Sequence, residues 1–459
     1  MITVGLLIVI LLPSLLGTFV LTPFLMGLKI NMFLRFSLGS GLGWGIISLW
    51  IFLLGAFGLP MNLAAINLPL ILIALFLLPF QRRGVSRAGQ PRLSSFKTKN
   101  ISFSDISLAS ILFCCVVYSL ISNLKFVPIS SWDGISTIAF KAKFFFYEGT
   151  FSFNKDLPHA SYPLLVPLVM MWEALNYGQW HEYLTKFVFF NYFLNTLLLV
   201  YGFLLHLLDK RWALMGTTLM CFANYFILHS YIVYRDLPLA FYTCSAILLI
   251  LLWKMNQKDS LLVIAGIFSG LGAFTKLEGM GYCFIEIVLI LYLSGIQFNM
   301  LKKPGIFKSI GFNILRFLLP VMIILGSYFI FKMAFHVPFG EGGKTEMTIA
   351  FDLFLRVPVV AGAFVKNLFG TIYWNWNWYL LAACFLFSFN RLRQMERNLL
   401  TAIYLFFLAD AALFLLTPNY RYLLVENFDV LLPRLILHFF PLAPILTTLM
   451  LNRIFVKER

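Results

Sequence analysis

Apolar runs of about 20 residues, the length of a helix across a hydrocarbon core, recur along most of this chain. They lie near 2–26, 36–58, 61–80, 106–124, 182–208, 212–232, 238–255, 260–277, 279–296, 316–334, 372–389, 398–416 and 434–451. That is about thirteen spans. The pattern predicts an all-α, polytopic transmembrane helical bundle. Two further segments are apolar but short. Residues 134–149 put Ile135, Ile138, Ala139, Ala142, Phe145 and Phe146 on one face, with Thr137, Lys141 and Glu148 on another. Residues 163–178 (PLLVPLVMMWEALNYG) enclose Glu173. Both are expected to be interfacial helices on the extracytoplasmic side.

The polar intervals divide the chain. Residues 1–80 form an N-terminal accessory segment of three spans, and 81–105 a basic linker (QRRGVSRAGQPRLSSFKTKN at its heart). Residues 106–296 form a membrane core with one large outer loop, 125–181. Residues 297–459 form a C-terminal membrane segment with outer loops 335–371 and 417–433. Long loops carry function more often than short connections, which places the chemistry there.

Composition agrees with this pattern. Hydrophobic residues make up 61% of the 459 and charged residues 12%, against about 25% charged in a soluble domain. The mean hydropathy is +0.88. Soluble, disordered and coiled-coil classes are excluded. The six cysteines lie within apolar runs and form no CxxC or Cys/His cluster, which removes a disulfide scaffold or structural zinc site. The net charge of +16 would suggest nucleic acid in a soluble protein. Here it is read as sidedness, with no nucleic-acid partner. One set of loops holds most of the 35 Lys+Arg residues against only Asp105, Asp209, Asp259, Glu396 and Glu458. By the positive-inside rule that side is cytoplasmic. The N-terminus is then outside and the C-terminus inside, in a multi-pass integral membrane protein.

The opposite side interleaves acids, bases and aromatics. Ser131-Trp132-Asp133-Gly134 opens the large loop. Asp133 suits a helix N-cap, and a general base on an acceptor hydroxyl is the alternative, compatible with it. Lys141 and Lys143 suit snorkelling to headgroups or binding a lipid phosphate. His159-Ala160-Ser161-Tyr162-Pro163 closes the loop, with Pro163 fitted to a first helical turn. In Tyr234-Arg235-Asp236-Leu237-Pro238, Asp236 is a cap candidate, and the Arg-Asp pair also suits a phosphate site. Gly270-Leu271-Gly272 leads into Thr275-Lys276-Leu277-Glu278, ionisable residues beside an apolar run. Arg421 sits in Asn419-Tyr420-Arg421-Tyr422. Arg434 and His438, four apart, share a helix face. Tyr373 to Tyr379 read as an interfacial aromatic belt, with sugar stacking as the lesser alternative. Glu286 and Asp410 lie inside spans without an assigned role.

The order of these motifs resembles the GT-C integral-membrane glycosyltransferases, especially the protein O-mannosyltransferases and the lipid A aminoarabinose transferases. The resemblance covers roughly 106–296. It rests on Trp132-Asp133, Tyr162-Pro163, Asp209-Lys210-Arg211, Arg235-Asp236-x-Pro238 and Thr275-Lys276, with Arg434-x-x-x-His438-x-x-Pro441 as a looser match. It implies a polyprenyl-phosphate-sugar donor, a glycan, lipid or protein acceptor outside the cell, and transfer with inversion in a bacterial inner or plasma membrane. It implies Asp133 as catalytic base and Asp236 as the second acidic residue of the catalytic pair, which helps arrange the site. Lys276 and Arg235 would contact the donor phosphate. Arg421, Arg434 and His438 would assist, and Lys141, His159, Tyr162 and Glu278 complete the set of substrate-binding candidates. No cofactor is required; a divalent cation is compatible, with no metal ligand assigned. The chain departs from the family in having Trp-Asp-Gly where its members carry an Asp-Glu pair. It also has three extra leading spans and no large soluble domain after the last span. The alternative to an enzyme is a flippase or transporter of lipid-linked sugars, which needs a polar path through the spans; a purely structural membrane subunit leaves the ordered motifs unexplained.

Overall fold

The computed structural model describes residues 2–87, 102–151, 157–295, 306–338, 353–424 and 431–456. All regular structure among them is helical. The helices are α1 (Ile2–Leu25), α2 (Met32–Ala56), α3 (Leu63–Arg87), α4 (Phe103–Ile121), α5 (Ala139–Glu148), α6 (Leu165–Tyr177), α7 (Phe187–Leu207), α8 (Lys210–Met220), α9 (Asn224–Leu228) and α10 (Asp236–Asn256). They continue as α11 (Ser260–Thr275), α12 (Glu278–Leu293), α13 (Ile306–Ala334), α14 (Leu353–Phe369), α15 (Thr371–Trp374), α16 (Asn377–Ser388), α17 (Gln394–Leu416), α18 (Leu431–Leu437) and α19 (Leu442–Phe455).

Eight helices among the described residues are long and apolar enough to cross a membrane. A ninth is counted if α18 and α19, bent by 56° at their break, form one span. Pro441 lies in that break and has no N–H to give a continuing helix. The other expected spans are shorter or interrupted. Residues 63–79 and α11 are short apolar helices. The run 212–232 is cut between α8 and α9, and 372–389 between α15 and α16. A long helical stretch, Phe354–Trp374, replaces much of the expected loop 335–371. Its Arg356 and Lys366 disguised it in the sequence. Residues 339–352 of that loop, the linker stretch 88–101 and residues 425–430 of the last loop lie outside the described residues.

Local chemistry sets the ends. Asn31 caps α2 by accepting from Leu34 N at 3.0 Å, Ser102 and Asp105 form a capping box on α4, and Asp209 accepts from Arg211 N and Trp212 N to start α8. Gly149 and Gly178 end α5 and α6 in the left-handed conformation that favours glycine.

α10 is the axis of the bundle and is buried from Asp236 to Trp253. It packs against α7 and α11, and α11 packs in turn on α13. α4 and α13 carry exposed apolar faces such as Phe113, Tyr118, Leu319 and Ile323, as lipid-facing helices do. Helix α6 differs from the expectation of an interfacial helix. It is buried on every side, packed on α1, α2 and α5. Its apolar residues run right round the helix rather than along one stripe, the pattern of an interior helix.

α1 and α2 approach too closely for side chains at their crossing. A Cβ built at Gly17 would fall on the Gly39 carbonyl, and one at Gly43 on the Pro13 carbonyl. Small residues allow such backbone contact in membranes. Gly17→Val is expected to destabilise the fold by roughly 1–3 kcal/mol through overpacking. Gly281→Ala, which meets open space, is expected to leave the thermal unfolding midpoint in detergent unchanged or slightly raised. Equal midpoints for Gly17→Val and the parent would contradict the close crossing.

Candidate active site at one end of the bundle

Five pieces of chain meet where α10 begins: the segment leading into α5, the turn 159–162, the start of α10, the α11–α12 junction, and α18. The residue at their centre is Asp236. Its side chain is 0% exposed. Burying an unpaired carboxylate is prohibitively costly, so it must collect donors. Lys276 Nζ donates to Oδ1 at 2.9 Å, His438 Nε2 donates to the same oxygen at 3.0 Å, and Arg434 Nε donates to Oδ2 at 3.1 Å. The expected capping role is absent, since no side-chain cap bond is made at this helix start.

The network spreads from these donors. Lys276 also pairs with Glu278 at 2.7 Å. The Tyr282 hydroxyl stands 2.7 Å from His438 Nδ1. With Tyr282 donating to Nδ1, the imidazole carries its proton at Nε2, facing the carboxylate. Arg434 extends its Nη2 to Asp133 Oδ2 at 2.8 Å, while its guanidinium lies over the Tyr234 ring at 4.5 Å. One arginine therefore bridges the two aspartates. Asp133 itself makes no cap bond, and its side chain stays 30% exposed.

A second group of cations lies alongside. Arg235 stacks on Tyr162, 4.4 Å from guanidinium carbon to ring centroid, and Lys141 Nζ lies 5.8 Å from the same ring. Lys141 is almost wholly buried and donates to the His159 carbonyl, so it does not snorkel. Burial, with Arg235 and Lys332 nearby, holds its ammonium well below the usual lysine range. His159 stacks on Tyr162 at 5.1 Å. Burial and the neighbouring Lys141 and Arg235 lower its imidazole, while Asp133 acts in the other direction. Lys332 of α13 donates to the Ser161 carbonyl at 2.6 Å and lies over the Tyr328 ring.

Ten of the eleven residues singled out in the sequence thus come together: Asp133, Lys141, His159, Tyr162, Arg235, Asp236, Lys276, Glu278, Arg434 and His438. Arg421 does not join them. It is exposed on the turn Pro418–Leu423, and the arginine packed there is Arg356, over the Tyr420 ring at 4.2 Å. Lys143 pairs with Glu182 at 3.4 Å on the surface. Three residues of the site were missed. Lys332 had a signal, a lone ammonium inside the apolar run 316–334. Tyr282 stands one turn after Glu278 and so shares its face. Tyr234 had none beyond adjacency to Arg235. Among the described residues, no group of three or more His, Cys, Asp or Glu side chains is placed to hold a metal ion.

The two aspartates differ in burial, and their substitutions are expected to differ in cost. Asp236→Asn removes the charge that Lys276 and Arg434 share in the interior, which costs about 3–5 kcal/mol. Asp133→Asn, at a half-exposed pair, costs about 1 kcal/mol or less. Thermal unfolding of both variants in detergent checks this, and an equal loss for the two would contradict the assignment of Asp236 as the buried hub.

No family model, no curated protein and no solved structure matches this chain.

Proposed function

We propose that the protein is a membrane glycosyltransferase, which moves a sugar from a polyprenyl-phosphate donor to an acceptor hydroxyl at the extracytoplasmic surface. One observation carries this reading. A half-exposed carboxylate, Asp133, is held by Arg434 beside a cluster of buried cations, at one end of an apolar bundle. A base next to a phosphate-sized concentration of positive charge is the pair of elements that such a transfer needs.

The proposed steps use these residues. The donor is a phosphodiester with one negative charge. Asp133 accepts the acceptor's hydroxyl proton as that oxygen attacks the anomeric carbon. The bond from this carbon to the phosphate oxygen breaks on the opposite face, so configuration inverts. Polyprenyl phosphate leaves as a monoester and carries more negative charge than the donor did. Arg235 and Lys141 stabilise the charge that grows on it, assisted by Lys332. Lys276 and Arg434, engaged by carboxylates, position the site instead. Preorganised donors that meet developing charge supply the largest expected term, about 3 kcal/mol for each donor removed.

Asp236 has no accessible oxygen to take a proton. Its part in this reading is to fix Arg434, and through it Asp133. Glu278 steadies Lys276, and Tyr162 spaces the Arg235 and Lys141 charges. A flippase would need a continuous polar path through the spans. The ion-paired cluster lies at one end, and Glu286 and Asp410 are buried singly within α12 and α17.

Two outcomes are expected in membranes supplied with a lipid-linked sugar. Asp133→Asn folds but loses release of polyprenyl phosphate by about a hundredfold or more; retained turnover would remove Asp133 from the base role, and movement of intact donor without release would favour the transporter. Donor affinity is expected to fall as pH rises through the depressed range of Lys141. The phosphodiester does not titrate there, and its negative charge favours the protonated ammonium, so binding takes up a proton. Lys141→Met is expected to flatten that slope in an equilibrium binding titration; an unchanged slope would contradict the contact.

A further inference from the structure

Three side chains on α9 and the turn from α9 to α10 lie together beside Arg434 and have no part in the proposed transfer. The His229 ring stands 4.4 Å from the Tyr225 ring, centroid to centroid, and 5.7 Å from the Tyr234 ring. Tyr225 is backed by Tyr373 at 5.1 Å and Trp374 at 5.8 Å, both from α15. Exposure rises outward, from His229 at 1% and Tyr225 at 7% to the half-buried Tyr234. Tyr234, the outermost, lies under the guanidinium of Arg434, which holds Asp133. Its chain neighbour Arg235 stacks on Tyr162 in the cation cluster.

The polar atoms of these three residues are not engaged by the protein. His229 Nδ1 stands 2.8 Å from the Tyr225 carbonyl. A carbonyl only accepts, so Nδ1 carries the proton. A second proton, on Nε2, would place a charge in the interior without a bonded partner, which is costly. Nε2 is therefore a bare lone pair, and it is buried with no hydrogen-bond partner. Buried polar groups are rarely left so, and each one asks for an explanation. Among the described residues, the Tyr225 and Tyr234 hydroxyls have no hydrogen-bond partner either.

We propose that Tyr225, His229 and Tyr234 bind the transferred sugar of the donor, with His229 Nε2 accepting one of its hydroxyls and the tyrosine hydroxyls bonding others. The inference rests on the glycosyltransferase reading and names the groups that recognise the sugar. Their chemistry selects this ligand. A phosphate would be repelled by the Nε2 lone pair, and a hydrocarbon would leave all three groups unpaired. A sugar supplies hydroxyls for the polar atoms and C–H faces for the rings, the mixture of aromatic wall and few polar groups that fixes a small ligand. Chain order favours the donor's sugar over an acceptor's. That sugar is bonded directly to the phosphate, and Tyr234 directly precedes Arg235. The sugar enters past Tyr234, the outermost of the three.

Equilibrium binding to the full chain in detergent tests it, with undecaprenyl phosphate and its glucose, mannose and galactose phosphodiesters as probes. A site built to bond a hydroxyl discriminates against an analogue that misplaces it. The parent is therefore expected to separate the three epimers by about tenfold or more. His229→Asn keeps a donor for the Tyr225 carbonyl and lacks the Nε2 lone pair. Tyr225→Phe removes one hydroxyl from a ring that stays. Each is expected to shrink the separation about fivefold and to leave undecaprenyl phosphate binding unchanged. Equal binding of the epimers by the parent, or a parental preference in both variants, would overturn the inference; undecaprenyl phosphate binding would leave the glycosyltransferase reading standing. Equal loss of bare and sugar-bearing lipid in both variants would show a structural role and overturn it as well. So would variants that keep the donor preference but bind the methyl glycosides of the same hexoses more weakly, since the subsite would then belong to an acceptor sugar. A parent that binds no undecaprenyl phosphate would remove both the reading and the inference.

Discussion

A buried carboxylate organises one end of this molecule. Asp236 begins the most enclosed helix of the bundle and is cut off from water. Its charge is tolerable only if donors reach it from several directions at once. They come from the α11–α12 junction (Lys276), from α18 (Arg434) and from the break between α18 and α19 (His438). These elements are far apart in sequence, so the ion cluster fixes their mutual positions. The bend at Pro441 belongs to this constraint. It turns the last helix while Arg434 and His438, one turn apart, still face the same aspartate.

From that hub the site is built outward in order of increasing exposure. Arg434 carries the constraint from Asp236 to Asp133, so a buried aspartate positions a half-exposed one. The cations divide in a corresponding way. Lys276 and Arg434 are neutralised by carboxylates of the chain. Arg235 and Lys141 lie by the Tyr162 ring, and Lys141 also donates to the His159 carbonyl; among the described residues neither is in a direct ion pair with a carboxylate. On the proposed reading this division separates positioning from substrate binding. Burial beside Arg235 and Lys332 lowers the Lys141 ammonium.

Much of this was legible in the sequence, because apolar runs and isolated ionisable groups are strong signals in a membrane chain. The runs that became α1, α2, α4, α7, α10, α13 and α17 stand out by length alone. The acidic and basic positions of the site were visible as exceptions to an apolar background. Helix breaks were not. Met220 to Asn224 and Phe369 to Asn377 are as apolar or aromatic as a span, and only tertiary packing decides where such a segment turns. The helix Phe354–Trp374 was hidden for the opposite reason, since Arg356 and Lys366 lowered its apparent hydropathy while Arg356 was in fact satisfied by the Leu415 carbonyl at 2.9 Å. The N-cap alternatives for Asp133 and Asp236 failed because a cap is a local interaction. Arg434, some two hundred residues from Asp236, offers a stronger one that no local window contains.

The central claim is that the charge at this end of the bundle exists to hold a lipid-linked phosphate beside Asp133. Cryo-electron microscopy of the full chain with bound polyprenyl phosphate tests it most directly. The expected result is phosphate density in contact with Arg235 and Lys141, on the side of Tyr162 that faces Asp133. Phosphate density elsewhere on the protein, with Arg235 and Lys141 unoccupied, would contradict the account.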